Sequence, residues 1–146
     1  MPRILDEALK QVKGVEVWLT PRHAEVCALA FEEASQNAAG RIGAFAIMRG
    51  HCHVVVHSPR LEGAEVLRRF KGVSARRLSQ RFGKPPAITW WTRNGSHRLL
   101  PDGPSIRGAI RYVLQQEKPL IVYRAPQKSA SIRPDSSAPM ILDRAD

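Results

Sequence analysis

Between residues 15 and 123, runs of apolar positions switch between the period of a strand and that of a helix, with turn-forming residues at each switch. Val15 to Thr20 reads as a short strand. Thr20 then offers an N-cap and Pro21 the first position of a helix expected to reach about Ala39, where Gly40 ends it. Val26, Leu29, Ala30 and Phe31 form the apolar stripe of that helix. Arg41 to Met48 and Cys52 to Val56 are β-rich runs, and Arg49-Gly50 between them predicts a hairpin or near-hairpin.

A second helix is expected over Leu61 to Phe82, with Val66, Leu67, Phe70, Val73, Leu78 and Phe82 turned inward and Gly72 breaking or bending it midway. Past Gly83 and Pro85-Pro86, Ile88 to Arg93 and Ser96 to Leu100 flank Asn94-Gly95, the strongest hairpin signal in the chain. Asp102-Gly103-Pro104 opens a third helix with Ile106, Ile110, Val113 and Leu114 as its buried stripe, and Pro119 stops it past Lys118. Leu120 to Tyr123 adds a last strand. From Ala125 onward, proline, serine and charge without periodicity predict a flexible tail, so the division expected is a domain over 1–124 and a tail over 125–146. This order of elements predicts an α+β domain of ferredoxin-like kind, an antiparallel sheet with helices packed on it. Such a fold specifies no function by itself.

Composition narrows the classes. With 146 residues, 43% hydrophobic and 25% charged, the chain can bury one ordinary core. It has no run near the roughly twenty apolar residues of a membrane span, and its first fourteen residues lack the apolar centre of a secretory signal. The expected compartment is the cytoplasm, with no membrane partner. Lys and Arg number 23 against 13 Asp and Glu, a formal charge of +10 that suits a polyanionic partner, nucleic acid first, and equally a surface that is basic only for solubility. Cys27 and Cys52 lack the companions of a zinc site and read as reduced core residues.

The candidate chemistry begins at His51-Cys52-His53. On a strand, His51 and His53 share one face and can converge on one ion, whereas His57 lies roughly 13 Å from His53, too far to join them. Taken alone, a His-x-His is more often a pair of solvated or hydrogen-bonded strand residues. The third helix adds Tyr112 and Gln116, four apart and so adjacent on its surface. The plain reading of Tyr112 is a ring that packs while its hydroxyl stays wet, and of Gln116 a good surface helix former.

These pieces together resemble the single-tyrosine HUH transposases of the insertion-sequence 200/605 group and their REP-associated relatives. The resemblance runs from about Val15 to Val122. Met48 to Val56 (MRGHCHVVV) is similar to the family's strand of paired histidines, and Lys71 to Leu78 (KGVSARRL) to its Lys-Gly-x-Ser-Ala-Arg segment. Trp90 and Trp91, then Gly95 and Tyr112-Val113-x-x-Gln116, are similar to its Trp-containing hairpin and Tyr-Ile-x-x-Gln helix. Arg49-Gly50 departs from the Pro-Asn often found before the first histidine, and the hairpin lacks the usual Tyr-Phe after tryptophan; both departures concern substrate choice.

The resemblance implies the HUH endonuclease fold, with 1–124 as its catalytic domain, His51 and His53 as a metal pair, Gln116 as third ligand and Tyr112 as nucleophile. It implies cleavage and rejoining of single-stranded DNA through a 5′-phosphotyrosine in DNA transposition, by a homodimer acting on hairpin ends. Two imidazoles and an amide leave open coordination positions and suit Mg²⁺ or Mn²⁺. Lys71, Arg76, Arg77 and Arg81 are expected at phosphates. Trp90 and Trp91, alternating on a strand, are expected to place one ring in the core and the other on an unpaired base. Tyr123 is the fallback nucleophile. Other readings are a noncatalytic single-stranded nucleic-acid-binding module and a domesticated or replication-type HUH nickase. A histidine-triad hydrolase would want histidine in place of Val55.

Overall fold

Thr20 begins the first helix as its side chain suggests. Its Oγ1 accepts the backbone N–H of His23 at 3.2 Å, and His23 Nδ1 accepts the N–H of Thr20 at 2.9 Å, satisfying two donors at the helix entry. In the computed structural model, residues 18–85, 89–91, 95–126 and 141–145 are described, with 38–39 and 141–145 by backbone alone. Helix α1 spans Pro21–Ala34 and buries Ala24, Cys27, Ala30, Phe31 and Ala34. It widens into a π-helical turn over Ser35–Ala39 and closes at Gly40, whose φ of 123° no larger residue adopts easily. A Cβ there would also stand 2.6 Å from Val56 Cγ1.

Strands β1, Arg41–Ile47, and β2, Cys52–His57, pair antiparallel, with Phe45 opposite Val54 and Ala46 opposite His53. The anticipated tight connection is present, and the Met48 N–H donates to the His51 carbonyl at 2.8 Å. Helix α2 runs unbroken over Gly63–Phe82. The break expected at Gly72 does not occur, because Gly72 lies on the outer side with nothing within 4 Å of a would-be Cβ, while Phe70, Ser74 and Leu78 hold the inner side. Strand β3 is Ser96–Leu100, helix α3 Gly103–Leu114 and strand β4 Ile121–Arg124.

Three expectations need correction. Trp18, Leu19 and Thr20 are not strand, and the earlier part of the Val15–Thr20 run lies outside the described residues. Thr89 to Trp91 are likewise not strand, and the Asn94 end of the expected hairpin also lies outside them. β3 pairs instead with β5, Ile141–Ala145, in the segment expected to be a structureless tail. β5 also pairs with β2, so the sheet order is β3-β5-β2-β1-β4, antiparallel throughout. Five residues are enough for this strand because neighbours on both sides take up its backbone hydrogen bonds.

The α+β expectation holds. Phe45, Ile47, Cys52, Val54 and Val56 point to one face, where α1 and α2 cover them with Phe31, Val66, Phe70 and Leu78. Ala44, Ala46 and Val55 point to the other, under Ala109 and Val113 of α3. Small alanines on that second face let α3 lie close to the sheet. Cys27 and Cys52 are free and buried, and burial pushes the Cys27 thiol up to about 12. Among the described residues no helix is long and apolar enough to cross a membrane.

Candidate active site

Strand alternation puts His53 on the α3 face of β2, between Val55 and the turn that carries His51. Its partner across the ladder is Ala46, which is too small to fill the space above it. His53 is 1% exposed, and its ring lies edge-on to that of His51 with centroids 4.7 Å apart. Tyr112 comes down from α3 onto His53, again edge-on, at 5.5 Å between centroids. Tyr112 is nonetheless 42% exposed, so the residue meets His53 without being enclosed. One chain thus brings together three of the four side chains singled out for chemistry.

Burial lowers the pKa of His51. Desolvation favours the uncharged imidazole, which is the form that binds a metal or accepts a hydrogen bond.

Gln116 stands differently from the expectation. α3 ends at Leu114, not near Lys118, because Gln115 leaves helical geometry at φ −98°, ψ 10° and Lys118 turns left-handed at φ 56° before Pro119. Gln116 is therefore past the helix, and its Nε2 donates at 3.1 Å to the Tyr112 carbonyl, one of the acceptors a helix end leaves open. The side chain caps the very residue proposed to react. With Nε2 so engaged, Oε1 is the end suited to a cation. Among the described residues no group of three His, Cys, Asp or Glu is arranged for a metal, so a third protein donor here has to be of another kind.

Other candidates separate from this site. Tyr123 stacks on Phe45 at 5.2 Å, and Phe45 faces α1, so the fallback nucleophile is on the wrong side of the sheet. His57 Nδ1 lies 2.8 Å from Arg41 Nη2, in keeping with its exclusion from the metal pair. Trp90 and Trp91 are both in the core at 4% and 6% exposure. Their N–H groups go to Ser79 Oγ and Ser74 Oγ, each at 2.9 Å. The expected alternation fails because these residues are not on a strand, and neither ring is presented to a base.

The basic residues of α2 belong to the layer opposite Tyr112. Arg77 is bound by Glu33 of α1 through contacts of 2.7 and 3.0 Å, Arg76 approaches the same carboxylate at 3.7 Å, and the Arg81 guanidinium lies 4.9 Å above the Phe82 ring. Lys71 is half-buried nearer the middle of the helix. Sequence reasoning overlooked Arg107 and Arg111, which α3 exposes in the layer of Tyr112.

A family model described as Transposase IS200 like matches residues 12–94, more than half of the chain. The match takes in the histidine pair, α2 and both buried tryptophans and stops before Tyr112. No curated protein and no solved structure matches the chain. The antiparallel sheet, the paired histidines at the start of β2 and in the turn before it, and the extent of the match lead to one assignment: the chain belongs to the IS200-like transposase family.

Proposed function

We propose that this transposase cuts and rejoins single-stranded DNA with Tyr112 as its nucleophile. The observation that supports the reading is the run of contacts from His51 to His53 to Tyr112 within a single chain. The phenol oxygen attacks the phosphorus in line, the bond to the 3′ oxygen breaks, and a 5′-phosphotyrosine forms beside a free 3′-hydroxyl. The phenol gives up its proton to water as it attacks, and the departing 3′ oxygen takes one up from water. The bond energy is retained in the phosphotyrosine, so attack by another 3′-hydroxyl rejoins strands without a nucleotide cofactor.

His51, His53 and Gln116 are the residues that would hold a divalent ion, Mg²⁺ or Mn²⁺. Such an ion supplies charge neutralisation at the nonbridging oxygens and stabilises the departing alkoxide. The lowered pKa of His51 and the Oε1 end of Gln116 fit that role. Gln116 also orients Tyr112 through its carbonyl. The net charge of +10 suits DNA, and the family resemblance suggests a homodimer working on hairpin ends.

The test is incubation of the full chain with random single-stranded oligonucleotides and Mn²⁺, followed by mass spectrometry of the peptides and sedimentation of the complex. The expected result is a nucleotide adduct on the Tyr112 peptide, lost in Tyr112→Phe and suppressed by a chelator. An adduct that survives Tyr112→Phe overturns the assignment. DNA binding with no adduct under any metal returns the chain to the noncatalytic reading.

A further inference from the structure

Of the three tryptophans, two are buried with their N–H groups bonded, while Trp18 is 57% exposed. Its position is nevertheless fixed by the next two residues. Leu19 is 2% exposed in the core and donates its N–H to the Arg49 carbonyl at 2.9 Å, and Thr20 is committed to the cap of α1. The Trp18 ring lies over the turn before β2, where a Cβ added to Gly50 would be 3.4 Å from Cζ3. Gly50 immediately precedes His51, and exposed Arg49 belongs to the same turn. A large aromatic surface is therefore presented to solvent over the residue that precedes His51 of the proposed metal pair, against the turn that also carries exposed Arg49.

We infer that Trp18, with Arg49 beside it, is a stacking platform for the unpaired base adjoining the phosphate that Tyr112 attacks, a role that rests on the cleavage reading above. An unpaired base offers a π face of any sequence to an indole, and the phosphate that accompanies it suits the arginine. A duplex would hide that face. The platform thus selects single-stranded DNA through its base as well as its charge, and it fills the part that the buried Trp90 and Trp91 leave vacant.

The experiment compares the full chain with Trp18→Ala and Trp18→Phe. Two fluorescein-labelled probes of equal length are used, an oligothymidylate and an abasic deoxyribose-phosphate oligomer. Trp18→Ala is expected to weaken oligothymidylate binding by roughly 5- to 150-fold, the range for losing one aromatic stacking partner, and to leave the abasic probe unaffected. Trp18→Phe keeps most of the affinity. Oligothymidylate should also quench the intrinsic fluorescence of the unsubstituted protein, and Trp18→Phe should remove the quenchable component.

Equal binding of oligothymidylate by the parent and Trp18→Ala, or an equal loss on both probes, overturns the platform. So does a change in assembly mass on Trp18→Ala with DNA affinity intact, which would mark the ring as a contact between copies. The Tyr112 adduct is read separately. An adduct without Trp18 dependence removes the platform alone, and Trp18 dependence without an adduct removes the cleavage reading while the base-binding surface stands.

Discussion

Ser74 accepts the indole N–H of Trp91 at 2.9 Å while giving its own hydroxyl hydrogen to the Phe70 carbonyl at 2.7 Å. It is fully buried, so the hydroxyl of the Lys-Gly-x-Ser-Ala-Arg segment ties α2 to the tryptophan pair. Ser74→Ala would leave the indole donor enclosed without an acceptor, at an expected cost of about 1–3 kcal/mol. Denaturant unfolding measures that loss, and adding Trp91→Phe should recover part of it by removing the stranded donor. An unchanged midpoint in Ser74→Ala would mean that water satisfies the indole. The segment was recognisable in the sequence, yet its serine could not be assigned, because the partner arrives from a loop with neither strand nor helix period. For the same reason the two tryptophans read as an alternating strand pair when both belong to the core.

At the scale of elements, the charge run along α2 was legible but its partner was not. Glu33 is 44 positions before Arg77, and only the packing of α1 on α2 brings them together. The Arg77 hydrogen bond, more than its charge, holds Glu33 below the usual carboxylate range, so near neutral pH the carboxylate is ionised and competes with phosphate for Arg77 and Arg76. If these arginines meet DNA, Glu33→Gln should raise single-stranded DNA affinity by about 1.5- to 5-fold, the reach of an exposed ion pair. The salt dependence should steepen by about 0.7 for each arginine released. Affinity and slope both unchanged in a fluorescence titration would show that this face takes no part in binding. The third helix shows the same limit of local reading: its stripe and start were predicted, while its early end depends on the path Lys118 and Pro119 must take into β4.

For the whole molecule the decisive strand is the last one. β5 lies between β2 and β3, so truncation after Arg124 would open two strand edges and detach β3 from the sheet. The expected result is loss of a large share of the ~5–15 kcal/mol that holds a domain of this size, with aggregation through the new edges. Circular dichroism melts and size-exclusion chromatography would show it, and a truncated chain that melts like the full one would mean β5 contributes little. By itself the sequence determined the course of the helices, the β1–β2 pair and the nearness of His51 and His53, which follow from periodicity, capping and spacing within a few positions, while the candidate reactive residues came from the family resemblance. Tertiary structure alone decided that Tyr112 rests on His53, that Trp18 rather than Trp90 or Trp91 faces solvent, and that five residues near the end complete the sheet. Contacts of that range are selected by which surfaces can be buried together, and no local pattern along the chain encodes them.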